Sequence, residues 1–331
     1  MAWWLFIILF FGGLLLAFFV SIPIAFSFLL LDLIGMYFVM GSSFASNFVG
    51  SILNSLTSFT LVAVPLFVLM GSVLFQSGLA MKALDVLEKW LGKLPGRLSV
   101  LSIASGALFA SLSGSVMANT AMLGSLLTPE MRRKNYHKSM IIGPIVASGS
   151  LAMMIPPSSL TVIFGSIAGI SVGDLLIAGI LPGLLTAALY ITYVVVTCMR
   201  NPELAPKDEI EEFSYLGLIK DTITDLLPLA LIIILTVGAI FFGLATPTEA
   251  ASLGALGAIL LAWIFGDLKL EVINNSLKDS TRVSSMVLII VAASTAFSQV
   301  LAFSGASRGL TNFAVNLPFG SFWILIGMLV V

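Results

Sequence analysis

The sequence predicts an all-α polytopic membrane protein, and three observations carry that prediction. Hydrophobic residues make up 59 % of the 331 and charged residues only 9 %, against roughly 25 % charged in soluble domains. Apolar runs near or above the roughly 20 residues that span a bilayer recur, among them Trp3 to Leu31, Leu175 to Met199, Leu226 to Leu244 and Val283 to Phe303. Within lipid such runs satisfy their backbone groups only as helices. The net charge of −1 leaves no basic footprint for nucleic acid, and the single Cys198 excludes an internal disulfide or a cysteine-based metal site.

The run from Trp3 to Val20 lacks a positive n-region and continues into Ser21-Ile22-Pro23 and more apolar sequence, so it reads as a first span rather than a signal peptide. Basic residues then cluster in short connections: Lys82, Lys89, Lys93 and Arg97; Arg132, Arg133, Lys134 and Lys138; Arg200 and Lys207; Lys269, Lys278 and Arg282. The positive-inside rule places all four groups on the cytoplasmic side. The first two flank one apolar stretch, Leu98 to Thr128, too long for one span and too uninterrupted for two. A re-entrant helical hairpin over 98–128 resolves the conflict, turning at Ser111-Leu112-Ser113-Gly114-Ser115, with Asn119-Thr120 just beyond. Non-helical backbone at that depth is tolerated against protein or a wet cavity.

Ser139 to Ile170 carries its own break at Ile155-Pro156-Pro157-Ser158-Ser159, because consecutive prolines remove two backbone donors. It is expected as two half-helices that cross to the outside near Ser171-Val172-Gly173-Asp174, with Leu175 to Met199 returning to Arg200. Pro202 to Ser214, rich in charge, reads as an inter-repeat linker.

An offset of about 224 residues aligns Pro23 with Pro247 and the span from Phe59 with that from Val283, and brings Ser77-Gly78 near Ser304-Gly305. Both halves carry a shorter polar stretch before the second span, Gly41 to Ser58 and Gly266 to Arg282, suited to a helix lying at the interface. Following the basic clusters, the halves run in opposite directions, the inverted-repeat architecture of many secondary transporters. The same offset starts a second hairpin near Phe322. A second hairpin, broken helix and last span are expected beyond Val331.

The two unwound segments, brought together near the midplane, would supply exposed carbonyls and the side-chain oxygens of Ser113, Ser115, Asn119, Ser158 and Ser159, hard ligands for a small cation. All sixteen acidic residues read as loop or helix-end groups. A proton relay needs an intramembrane carboxylate or histidine, so sodium is favoured as the coupling ion. Half-helix N-termini favour an anionic group, which makes carboxylate substrates plausible. Serine and glycine in apolar helices also serve simple close packing. Thr246-Pro247-Thr248-Glu249 fits a capping box, Thr128-Pro129-Glu130 reads as the start of a short helix, and Arg132, Arg133, Lys134 and His137 read as a topology determinant. Arg308 is the one basic residue expected outside.

Several motifs resemble the large membrane subunit of tripartite ATP-independent periplasmic (TRAP) transporters, the DctM-like subunit. They are Pro65-Leu66-Phe67-Val68-Leu69-Met70-Gly71; Ser111-Leu112-Ser113-Gly114-Ser115; Leu123-Gly124-Ser125-Leu126-Leu127-Thr128-Pro129-Glu130-Met131; Ala147-Ser148-Gly149 with Ile155-Pro156-Pro157-Ser158; Ser171-Val172-Gly173 through Ala178-Gly179-Ile180-Leu181-Pro182-Gly183; and Thr246-Pro247-Thr248-Glu249-Ala250-Ala251. The resemblance implies an inverted-repeat, elevator-type ion transporter fold in a bacterial inner membrane. A moving transport domain (58–199 and 283–331) would slide against a scaffold (1–57 and 200–282). It also implies sodium-coupled uptake of a small organic anion, such as a C4-dicarboxylate or sialic acid. Its partners would be a small four-helix DctQ-like membrane subunit and a DctP-like periplasmic substrate-binding protein. The sodium and adjacent substrate site then falls on Ser113, Gly114, Ser115, Asn119, Ser148, Gly149, Pro156, Pro157 and Ser158. A channel and an intramembrane enzyme are the alternatives. The absence of a G-x-x-x-x-G-K-[ST] motif disfavours an ATP-driven pump.

Overall fold

The computed structural model describes residues 3–113, 116–206, 215–316, 322 and 326–327, and every regular element among them is helical. α1 (Trp3–Phe19) and α2 (Ile24–Met40) are separated by a turn in which Ser21 takes a left-handed φ of 64° and Pro23 immediately precedes α2. α3 (Phe44–Leu56) follows as the separate polar helix expected there. α4 (Ala63–Gln76) continues a 3-10 turn from Phe59, and α5 (Leu79–Leu91) is amphipathic. α6 (Arg97–Ser113), α7 (Val116–Arg133), α8 (Lys138–Met154), α9 (Ser159–Ala168) and α10 (Val172–Arg200) complete the first half. α11 (Tyr215–Asp221) and α12 (Leu227–Phe241), joined by a π-helical turn, lead to α13 (Pro247–Phe265), α14 (Leu270–Phe303) and α15 (Ala306–Val315).

Among the described residues, five helical stretches are long and apolar enough to cross a bilayer, six if α8 and α9 count as one span bent by 42°. α1 and α2, at 17 residues each, sit at the short end of the spanning range. α10 shows the expected solvent: Leu181, Leu185, Leu189 and Tyr193 are exposed on one side while Gly183, Ala187, Val194 and Cys198 are buried. Such a surface suits a lipid environment.

Three local expectations change. The polar stretch before the second repeat's span does not form a separate helix: α14 runs unbroken for 34 residues, because no proline or glycine lies between Leu270 and Phe303. Pro129 starts no new helix; it sits inside α7, which continues to Arg133. The span before α13 begins well ahead of Leu226. Pro228 cannot donate to the carbonyl of Thr224, and the helix absorbs the missing bond as the π turn Thr222–Leu226 rather than ending. The Thr246 capping box is present, with Thr246 Oγ1 accepting from Glu249 N and Glu249 Oε2 accepting from Thr246 N. Lys207, Asp208, Glu209, Glu211 and Glu212 of the linker lie outside the described residues.

The chain divides into two compact units, 1–58 with 285–331, and 59–284. In the first, α1, α2 and the later turns of α14 bury Phe10, Leu14, Met36, Ala296, Phe297 and Val300. Phe297 meets Phe10 and Phe28 with ring centroids 5.0 Å apart in each case. In the second, α13 lays a face of small residues (Ala250, Ala251, Gly254, Ala255, Ala258 and Ala262) against α4. A Cβ on Gly254 would stand 2.7 Å from Met70 Sδ, so the two backbones approach as only small residues permit. The repeat is visible in local geometry. After α4, Ser77 Oγ donates to Leu74 O and Gly78 turns left-handed at φ 78°; after α14, Ser304 Oγ donates to Leu301 O and Gly305 turns at φ 76°.

Candidate ion and substrate site

The hairpin starts from a charged base. Glu88 on α5 holds Arg97 at 2.8 Å, and Lys134 reaches Glu130 at 3.1 Å. The Tyr136 hydroxyl accepts from Leu98 N, and Ser99 Oγ donates to Met140 O at 2.7 Å. The entry to α6 and the exit from α7 therefore lie at the same end of the pair. Burial pushes the Glu88 carboxyl up from its ordinary value, and the neighbouring Arg97 guanidinium pulls it part of the way back.

Above that base, α6, α7 and α8 converge. Asn119, buried on α7, donates from Nδ2 to Gly106 O on α6 at 3.1 Å and to Ser148 O on α8 at 3.4 Å. Its Oδ1 is buried and has no hydrogen-bond partner among the described residues. Gly106 faces Ser148 so closely that a Cβ would overlap the serine side chain, and a Cβ on Gly149 would overlap Thr120 Oγ1 and stand 3.3 Å from Val116 O. The two glycines thus let three backbones meet around one amide. Ser148 spends its own hydroxyl within α8, donating to Ile145 O at 2.7 Å.

Of the expected site residues, the structure gathers Asn119, Ser148 and Gly149. Ser113 ends α6, while Gly114 and Ser115 lie outside the described residues. Pro156, Pro157 and Ser158 form a separate buried stretch seven or more residues beyond Gly149, about two helical turns on. There the Pro156-Pro157 bond is cis. Ser158 Oγ caps α9 by accepting from Thr161 N, Thr161 Oγ1 donates to Met153 O at 3.0 Å across the break, and Ser159 Oγ is buried without a partner among the described residues. α10 lies directly on this break. A Cβ on Gly179 would stand 2.5 Å from Met154 O and one on Gly183 2.8 Å from Ile155 Cγ1, a packing reason for both glycines in that motif.

Three residues escaped the sequence reading. Gly106 was visible only as the middle of a Ser102, Gly106, Ala110 small-residue stripe. Asp32 corrects an expectation outright: not every acidic residue lies in a loop or at a helix end. Asp32 stands mid-way along α2, fully buried, with neither carboxylate oxygen hydrogen-bonded to a described residue. The long apolar run preceding it disguised the position. Asp279, likewise, lies within α14. His137 is a structural cap, its Nδ1 accepting from Ser139 N at the start of α8.

Apolar spans, a helical hairpin and a proline-broken helix around a buried uncharged oxygen define a polytopic membrane transporter. The chain belongs to the family described as tripartite ATP-independent periplasmic transporter, DctM component, whose model matches residues 11–331. It is 32 % identical over 297 residues to the ectoine TRAP transporter large permease protein TeaC of Halomonas elongata, covering 88 % of this chain and 67 % of that protein. The sialic acid TRAP transporter large permease protein SiaM of Vibrio cholerae is 31 % identical over 303 residues, with 90 % and 69 % covered. The C4-dicarboxylate TRAP transporter large permease protein DctM of Pseudomonas aeruginosa is 29 % identical over 271 residues, with 81 % and 62 % covered. The chain thus spans about two thirds of the length of these relatives, which are permeases rather than enzymes.

Proposed function

We propose that this chain carries the ion site of a secondary transporter that takes up a small organic anion with sodium across a bacterial inner membrane. A periplasmic binding protein delivers the anion, and a small four-helix membrane subunit completes the assembly. The supporting observation is Asn119 Oδ1: a buried acceptor with no donor among the described residues, at the point where hairpin and broken helix meet. An unpaired amide oxygen costs roughly 1–3 kcal/mol in such a place, and a cation bound there recovers that cost. The neighbouring oxygens are neutral carbonyls and hydroxyls, the donor set that suits sodium. Ser113, Ser115 and Ser148 are proposed for the rest of that shell, and Ser158 with the carbonyls freed at Pro156 and Pro157, about two helical turns further on, for a second and separate oxygen set. Transport proceeds by an elevator motion of 58–199 with 283–331 against 1–57 with 200–282.

Asp32 supports a second reading, proton coupling, because an intramembrane carboxyl without partners is a functional candidate on its own. Uptake into proteoliposomes, with the binding protein supplied, separates the two. Sodium coupling requires uptake that follows an imposed sodium gradient and falls in Ser115→Ala and Pro157→Ala. Uptake that follows a pH gradient without sodium, and disappears in Asp32→Asn, selects the proton instead.

A further inference from the structure

Within the 59–284 unit, the seam between α4 and α13 is smooth along its length and tied at its ends. The buried residues of α13 from Ala250 to Ala262 are all alanine or glycine, so they offer α4 no side-chain hydrogen bond. The described hydrogen bonds across the seam lie at either end of it. At one end Thr248 Oγ1 donates to Phe59 O at 3.4 Å. At the other, Asp267 N donates to Ser77 O at 3.2 Å, and Lys82 Nζ on α5 donates to Phe265 O, in the last turn of α13, at 2.8 Å. Seven residues along α5, Lys89 Nζ meets Asp221 Oδ2 at 2.6 Å, and Trp90 Nε1 donates at 2.9 Å to Thr222 Oγ1, where the π turn begins. Lys82, Val86 and Lys89 fall at helical spacing on one face of α5, with Val86 buried between the two lysines.

We propose that α5 is a reversible clasp. Through Lys82, Lys89 and Trp90 it holds the 58–199 segment to the end of α13 and to the π turn, and it releases them in each transport cycle. The proposal rests on the carrier function and elevator motion proposed above and adds the contact that holds one end state. An alanine and glycine seam lets α4 slide along α13 without exchanging hydrogen-bond partners. Bonds from α5 to a fixed carbonyl, carboxylate and hydroxyl do not: a hydrogen bond is lost once its atoms part beyond about 3.5 Å. Lys89 and Asp221 each keep 33 % of their side chains exposed. Ion pairs in such places add little net stability, so water replaces the partners and the clasp opens readily. Its receiving side is the turn imposed by Pro228, and π turns of this kind are frequent at functional sites. The bonds from α4 to early α14, Gln76 and Ser72 to Asp279 and Ser280 to Pro65 O, are a different case. That stretch is one helix with 283–303, which the carrier reading assigns to the moving part.

The test has two arms, both on the full chain with its partner membrane subunit, in a Cys198→Ser background that removes the single native thiol. In the first, Lys89→Cys with Asp221→Cys is joined by a short, reducible bis-methanethiosulfonate in proteoliposomes supplied with the binding protein. Sodium-driven uptake of succinate or N-acetylneuraminate should stop on cross-linking and return on reduction, while either single cysteine treated alike keeps its uptake. In the second, the rate at which Val86→Cys reacts with N-ethylmaleimide reports opening without any transport. Lys89→Gln should raise that rate at least about threefold, the factor an exposed ion pair of ordinary strength supplies. Lys89→Asp with Asp221→Lys should bring it back toward wild type, and Lys93→Gln, an equal loss of charge outside the clasp, should leave it unchanged. Uptake by the cross-linked protein at its uncross-linked rate, or equal labelling of Val86→Cys with and without Lys89→Gln, overturns the clasp and leaves the carrier function standing. If the wild type takes up neither probe under a sodium gradient, the carrier reading fails and labelling alone decides the clasp.

Discussion

Gly149→Ala tests whether the hairpin sits against α8 as described. A new Cβ would overlap Thr120 Oγ1, with Val116 O at 3.3 Å and Thr120 Cβ at 3.4 Å. The second and third distances are tight but tolerable contacts, so the Thr120 hydroxyl is the obstacle. Overpacking of this kind costs roughly 1–3 kcal/mol. The intrinsic helix gain of alanine over glycine, about 1 kcal/mol, returns part of it. The single variant should lose up to about 2 kcal/mol, equivalent to a fall of up to roughly 8 °C in unfolding temperature for a unit of this size. In a Thr120→Ala background the obstacle is gone and the propensity gain remains. There Gly149→Ala should be neutral or stabilising, with a coupling of about 1–3 kcal/mol between the sites. Thermal unfolding of the four proteins in one detergent, without sodium, measures the cycle. An equal loss in both backgrounds would refute the contact between α7 and α8, and with it the placement of Asn119.

Asn119→Ala removes one good hydrogen bond but also an unpaired buried oxygen, so its sodium-free stability should stay within about 1 kcal/mol of wild type. The stabilisation that sodium confers should be lost; an unchanged sodium shift argues against Oδ1 as a ligand. Single cysteines replacing Lys93 and Lys134 should react alike with an impermeant reagent, both from the inner side and neither from the outer. Reaction of one alone from outside would mean that the 98–128 segment crosses the membrane. For Glu88, raised by burial, the folded state retains a proton that the unfolded chain releases. Stability relative to Glu88→Gln should therefore be greatest below the ordinary glutamate value and decline as pH rises through the raised one. A wild type that gains on Glu88→Gln over that interval would show that the Arg97 pairing, not burial, governs the group.

The class of protein and the places where its helices break were legible from one-dimensional pattern. Spanning length, the placement of basic residues and paired prolines act locally or through the bilayer, and both constraints are written along the chain. The turn near Ser113 and the break at Pro156 follow from this, as does the Thr246 cap. What lies opposite what was decided only by packing. Asn119 bonded to Gly106 O and Ser148 O, Gly149 against Thr120, Gly179 and Gly183 under the Met154–Ile155 break, and Asp279 clasped by Gln76 each join residues from different helices. No periodicity encodes which rows of small residues interdigitate. Asp32 shows the same limit in reverse: an apolar run hides a carboxylate that neighbouring helices close over. Length, charge and proline constrain each helix by itself, whereas the site exists only where the backbones come close enough for a side chain to reach between them.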